Sequence, residues 1–200
     1  MSIEPLLTSR SRYQVAQAEL KSAEAKLKQT GQNLKRQQDL FRDGVSALRT
    51  LQELKAQLSV DKARLETSRV QLEVIANEAK LNWGGTLARW ISADSPVKLK
   101  ALLSGWLHLL QITVPLNLGS GVSLHDIPVS ESSQRVSAKP AQFISRAPQM
   151  DPSVQGVNYF FVSTDPELQI GMKVTAWLPQ SNLSQSGMLV PESALVWYMD

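Results

Sequence analysis

The residues able to do chemistry in this sequence are few and scattered. His108 and His125 are the only histidines, and no acidic cluster stands beside either. His108 falls in an apolar run that reads as a strand, where a packed or solvent-facing imidazole is expected rather than a metal ligand. Met150, Met172 and Met188 are soft donors, but their spacing makes no close cluster. Asp151 and Asp165 stand next to Pro152 and Pro166, where carboxylate-to-backbone turn bonding accounts for them. Cysteine is absent, which excludes thiol nucleophiles, cysteine-ligated zinc and disulfides. No Gly-x-Ser-x-Gly elbow, phosphate loop or His-Glu-x-x-His pair occurs. The expectation is a non-catalytic protein with no catalytic, metal or cofactor site.

One stretch tests that expectation. Gly171-Met172-Lys173-Val174 resembles the Met-Lys-Met tip that carries biotin or lipoate on swinging-arm domains. Such lysines stand on an exposed hairpin turn. Here Lys173 is expected to open a strand, because Val174, Ala176 and Leu178 alternate after it. A solvent-facing strand residue is the reading adopted, with a carrier lysine as the alternative.

The chain has 200 residues, enough for one or two domains. Its 42% hydrophobic and 20% charged content is that of an ordered protein. A net charge of +3, with basic residues mixed among acids, is too small an excess to imply nucleic acid. No apolar run approaches the ~18 residues of a membrane span. The start, MSIEPLLTSRSR, lacks a basic-then-apolar signal pattern.

Residues from about 8 to 81 hold no proline and two glycines, Gly31 and Gly44, among good helix formers. Tyr13, Leu20, Leu27, Leu34 and Phe41 recur every seven residues; so do Leu51, Leu58, Leu65 and Leu72. One large apolar residue per two turns makes the narrow stripe of a coiled-coil seam. Between the arms lies Asp43-Gly44-Val45-Ser46, a turn signal. Ser46 is expected to cap the second helix. So short a loop makes the arms antiparallel, about 35 residues and roughly 50 Å each. Ala16, Ala23 and Thr30 are small enough to let the opposite leucines approach.

Past the hairpin, assigned to 1–82, the pattern changes. Gly84-Gly85 is expected to stop the second helix. Ser95-Pro96 reads as the cap of a short helix ending near Gly105, within a helical junction over 83–105. From 106 to 186, WLHLLQITVP, RVSAKPAQFIS, NYFFVST and MKVTAWLP read as strands of a small antiparallel barrel, with Pro140 marking an edge or bulge. LVPESALVWY, within 187–200, begins a further strand. The fold class is therefore α+β: a long antiparallel coiled-coil hairpin, a small antiparallel β-barrel, and the start of another β domain.

In this order of parts the chain resembles the periplasmic adaptor, or membrane fusion protein, family of efflux and secretion systems. Three stretches carry the resemblance. They are the hairpin with RQQDLFRDGVSALRTLQEL at its tip, RVSAKPAQFISRAPQMDPSVQGVNYFFVS with LQIGMKVTAWLP, and LVPESALVW. The last is similar to the strand opening the membrane-proximal domain of that family. The resemblance implies a non-catalytic subunit of the Gram-negative periplasm, associated with the inner membrane. It implies a bridge between an inner-membrane transporter of resistance-nodulation-division type and an outer-membrane channel; the alternatives are an adaptor of an ABC exporter or a plain coiled-coil scaffold. It also implies self-association into a ring, trimeric or hexameric. At the tip it implies partner contacts by Arg36 and Leu40, with Ser46 one residue earlier than the family's serine. Phe41, Arg42 and Gly44 complete the candidate tip, Phe41 either anchoring a contact or closing the seam. The lipoyl-like half expected after the hairpin is replaced by NWGGTLARWISADSPVKLKALLSG, and the N-terminal half is missing. The sequence therefore reads as a partial chain.

Overall fold

The computed structural model describes residues 2–94, 97–116, 124–132, 134–150 and 155–179. The expected strand at LVPESALVWY, Asp151, Met188 and the Ser95-Pro96 cap lie outside the described residues.

Two long helices form first, α1 (Glu4–Arg42) and α2 (Leu48–Ser92). Pro5 sits in the first turn of α1, where its missing N–H costs nothing. The helices pack along the expected seam: Ala16, Ala23 and Leu34 of α1 and Leu51 and Leu65 of α2 are buried. Tyr13, Leu20, Leu27, Leu58 and Leu72 are half-buried. Along the seam the small residues of α1 are thus the deepest, as close helix approach requires.

The second helix breaks at Gly84, as expected, and a further helical stretch follows it, to Ser92. Gly84 takes φ 76°, ψ 168°. Only glycine adopts this φ without strain. The kink brings α2 against the sheet: a Cβ on Gly84 would lie 3.4 Å from the Arg146 carbonyl oxygen. The C-terminus of α2 is then closed by Arg10 of α1. Its guanidinium donates to the carbonyls of Ile91 and Ala93, the latter at 2.6 Å. A cation at a helix C-terminus satisfies orphan carbonyls and complements the helix dipole. A short helix, α3 (Val97–Leu103), follows.

The strands are β1 (His108–Pro115), β2 (Asp126–Ser130), β3 (Lys139–Arg146), β4 (Gly156–Ser163) and β5 (Thr175–Ala176). They form one antiparallel, barrel-like sheet in the order β1-β4-β3-β2-β5. β2 is absent from the strands expected above, and it contains Pro128. There Pro128 stands opposite Pro140 of β3, and its carbonyl accepts from the Trp177 amide at 3.0 Å. β3 is interior, yet Pro140 lies beyond the stretch Gln142–Arg146 that pairs with β4. Locally it sits at an edge, and the bulge falls further on, between Phe143 and Ser145.

β4 is buried on both faces, which explains its unbroken apolar run. Phe161 faces the barrel interior with Leu110, Ile112, Ile127, Val129 and Ala141. Phe160 and Val162 face the helices, packing with Leu6, Trp83, Leu87, Ile91, Leu99 and Leu102. Trp83 meets Phe160 with ring centroids 6.1 Å apart. Trp83, Leu87, Ile91, Leu99 and Leu102 therefore cover this face of the sheet and root the hairpin.

Candidate docking tip of the hairpin

The tip is built by a helix C-terminus. Arg42 is the last residue of α1, Asp43 follows as cap, and Gly44 takes φ 75°. The Gly44 amide donates to the Phe41 carbonyl at 3.1 Å and the Val45 amide to the Leu40 carbonyl at 2.9 Å. This pair of bonds is the Schellman motif, which needs a left-handed residue at the Gly44 position. The Asp-Gly signal thus works through the glycine and the backbone.

Ser46 does not cap α2. The N-cap is Ala47, with no side-chain cap bond, and helix begins at Leu48. The Ser46 hydroxyl instead accepts from the side-chain amide of Gln37 on α1. It ties the loop back to the first arm, and this bond holds the two arms together at the turn.

Leu40 and Phe41 are each more than a third exposed, Val45 is 76% exposed and Leu48 more than half. Arg36 and Arg42 are exposed beside them. Phe41 only partly closes the seam; Leu51 is the buried residue at that end. From Tyr13, which still touches the root core, to Phe41 the helix rises about 40 Å at ~1.5 Å per residue. Of the six candidate residues, Gly44 and Ser46 lie in this loop, Leu40, Phe41 and Arg42 in the last turn of α1, and Arg36 nearly two turns before its end. An exposed apolar cluster at the end of a rod, rimmed by arginines, has the composition of an interaction surface.

Halfway along the seam sits a polar layer that the heptad reading missed. Thr30 and Asp61 are each 4% exposed. The Thr30 hydroxyl donates to one carboxylate oxygen of Asp61 at 2.5 Å, and the Gln57 amide donates to the other at 2.9 Å. The Thr30 bond, then the Gln57 bond, lower the Asp61 pKa against the opposing effect of burial; the charges of Lys26 and Arg64 add to the lowering. The signal was present: Leu54, Asp61, Ser68 and Ile75 form the second seven-residue series of α2, with a carboxylate in the middle.

Other chemistry-bearing residues are dispersed. His108 opens β1 and His125 is exposed before β2. Among the described residues no three His, Asp or Glu side chains gather as a metal site. Asp165 accepts from the Glu167 amide at 3.1 Å, the expected turn bond, and also from Lys139 at 2.7 Å. Burial pushes the Asp165 carboxyl up, but the Lys139 bond and the Glu167 amide outweigh it and leave it below its ordinary value. Lys173 is exposed but does not open β5, which begins two residues later. Val174, Ala176 and Leu178 do pack inward as the alternation requires. The Met172 sulfur accepts from the Gln169 amide at 3.1 Å. A cleft of about 480 Å³ opens at the root beside Ser9, Trp83, Gln149 and Phe160. Asn158 in its wall is committed internally, donating to the Gln149 carbonyl at 3.2 Å and accepting from Thr113 at 2.6 Å.

The fold defines an α+β chain in which a coiled-coil hairpin is rooted on a barrel-like sheet. Among the described residues no helix is long and apolar enough to cross a membrane. No family model matches the chain, and no curated protein matches it. Among solved structures it aligns with ZneB from Cupriavidus metallidurans, at 14% identity and a TM-score of 0.34, covering 84% of this chain and 78% of that one. It also aligns with the membrane fusion protein Spr0693 from Streptococcus pneumoniae R6, at 10% identity and a TM-score of 0.31, covering 91% of this chain and 80% of that one. These likenesses are too low to carry an argument about function.

Proposed function

We propose that this chain is a non-catalytic periplasmic adaptor. It bridges an inner-membrane transporter of resistance-nodulation-division type and an outer-membrane channel, with copies arranged in a ring. The tip of the hairpin docks the channel through Leu40, Phe41 and Val45, with Arg36 and Arg42 at the rim. The β domain, assigned to 106–186, faces the transporter, and the hairpin, assigned to 1–82, sets the distance between the two. The observation that carries this reading is the exposed apolar tip, held about 40 Å from the root by a closed two-helix rod. A spacer alone has no use for uncovered apolar side chains at its free end. The sequence resemblance at the tip, in the barrel stretch and at LVPESALVW supports the same reading.

The absence of cysteine makes the test direct. A single Cys replacing Val45 in the full-length native protein is crosslinked in intact cells, and the partner is identified by mass spectrometry. Capture of an outer-membrane channel is expected. Crosslinks only between copies of the chain would overturn the docking role of the tip. A second variant, Lys173→Cys, reports the inner-membrane partner; recovery of an ABC exporter there would replace the proposed pump type.

A further inference from the structure

Where the hairpin meets the sheet, a cleft of about 480 Å³ stays open. Asn82 and Trp83 reach it from α2, Gln111 from β1, Asn158 and Phe160 from β4, and Gln149 from the segment after β3. Its volume is that of a small-molecule site. No lysine, arginine, histidine or carboxylate is among the described residues that line it. Its polar side chains are mostly primary amides, and each of these can both donate and accept.

Part of that set holds the wall in place. Asn158, 1% exposed, accepts from the Thr113 hydroxyl at 2.6 Å and donates to the Gln149 carbonyl at 3.2 Å. It thereby fixes the segment that carries Gln149. The Ala147 amide donates to the Asn158 carbonyl at 2.8 Å, so the same segment is held twice. The Trp83 indole donates to the Ser9 hydroxyl at 3.2 Å, and that hydroxyl donates to the Pro5 carbonyl at 2.9 Å. The indole is thus tied to α1 as well as carried by α2. A wall fixed before a ligand arrives loses little freedom on binding.

The rest of the set is free. The Gln149 side-chain amide donates to the Asn82 side-chain oxygen at 3.1 Å. That bond leaves the Asn82 N–H groups and the Gln149 side-chain oxygen without a partner among the described residues. Gln111 is exposed, and its side-chain amide has no partner there either. Unspent donors and acceptors therefore come from three separate elements. Beneath them lie the rings of Trp83 and Phe160, with centroids 6.1 Å apart.

We propose that this cleft binds a neutral saccharide. Its wall lacks the charges that a phosphate, a zwitterion or a cationic ligand would pair with. A purely apolar ligand would cover the Asn82, Gln111 and Gln149 amides and leave them unbonded, which is costly. A saccharide answers both surfaces. Its hydroxyls each donate and accept, so they match primary amides in either orientation. Its C–H faces lie against the aromatic floor. An extended peptide presents a fixed alternation of donors and acceptors and is best read by a strand edge, whereas the free groups here are side-chain amides on different elements. The site lies at the root of the hairpin and stands whether or not the tip docks a channel.

The test uses the full chain, labelled with nitrogen-15, and two neutral disaccharides, diacetylchitobiose and cellobiose. At least one is expected to give saturable shifts of the Trp83 indole and of the Gln111 and Gln149 side-chain amides, with an affinity indifferent to salt. Asn82→Ala, Gln111→Ala and Gln149→Ala each remove one exposed amide. Each is expected to weaken binding by roughly threefold to tenfold, with helix content unchanged. An acetylated and amidated tetra-alanine serves as the peptide probe and is expected to give no shift. Silence with both disaccharides, an affinity that survives all three substitutions, an affinity that falls as salt rises, or a response to the peptide alone would each overturn the proposal.

Discussion

The hydroxyl of Thr30 on α1 donates to the carboxylate of Asp61 on α2 at 2.5 Å, across a largely apolar seam. Gln57 supplies a second donor to the same carboxylate. A polar pair in a coiled-coil core lowers stability relative to a hydrophobic layer but accepts only the partner that satisfies it. The Gln37–Ser46 bond near the turn and the Arg12–Glu78 ion pair at 3.0 Å near the root bracket it. Polar contacts thus run from the turn to the root, where Trp83 donates to the Ser9 hydroxyl at 3.2 Å.

Removing one member of the pair should cost more than removing both. Thr30→Val leaves a carboxylate oxygen without its donor and is expected to lower Tm by roughly 2–6 °C. The double variant Thr30→Val with Asp61→Leu should recover that loss or exceed the wild type. Thermal melts followed by circular dichroism decide it; a double variant less stable than Thr30→Val alone would contradict the account.

The same carboxylate predicts acid sensitivity. The Asp61 and Asp165 pKa values are both lowered from the ordinary 3.8 in the folded chain. A lowered carboxylate stabilises the fold above its unfolded value, and the contribution is lost as pH falls through the folded value. Stability should therefore be flat above about pH 5 on account of these two groups and decline from pH ~4 downward. Asp61→Asn should make that decline shallower. Lys139, raised above 10.5 chiefly by its bond to Asp165, acts in the opposite window. Its contribution is full below 10.5 and is lost as pH rises through the raised value. Urea midpoints across pH measure both limbs.

At the turn, Gly44→Ala places a side chain in left-handed geometry and should cost about 1–2 kcal/mol. A Cβ there meets nothing within 4 Å, so the cost is conformational and not steric. Gly44→Asn, which tolerates that geometry better, should lose less. Equal losses for the two variants in urea unfolding would rule out this assignment.

The root core couples helices to sheet. Leu87→Ala and Ile91→Ala, at positions fully shielded from water, should each lose about 2–5 kcal/mol. Hairpin and sheet should unfold together in those variants, because Trp83, Leu87 and Ile91 share one cluster with Phe160 and Val162. Val45→Ala, on the exposed tip, should stay within about 0.5 kcal/mol of wild type. Helical signal at 222 nm and Trp fluorescence, recorded on one sample, test whether the transitions coincide.

What the sequence by itself determined is what repeats or is local. The seven-residue spacing from Tyr13 to Phe41 and from Leu51 to Leu72 specified two helices and their narrow seam, and Asp43-Gly44 specified the turn. These signals are legible because helix periodicity and a positive φ depend on near neighbours only. The α+β class and most strands followed in the same way from alternation. Tertiary structure alone decided the rest. Ser46 has no capping role; its hydroxyl accepts from Gln37, nine residues back. Gly84 became a kink because the helix beyond it had a sheet to cover. β2 became a strand despite Pro128 because β3 and β5 lay on either side of it. Asp61 entered the seam because Thr30 and Gln57 met both of its oxygens there. In each case the deciding partner comes from a distant part of the chain or across the interhelical seam. Burial and hydrogen bonding then outweighed local preference by more than local preference could resist.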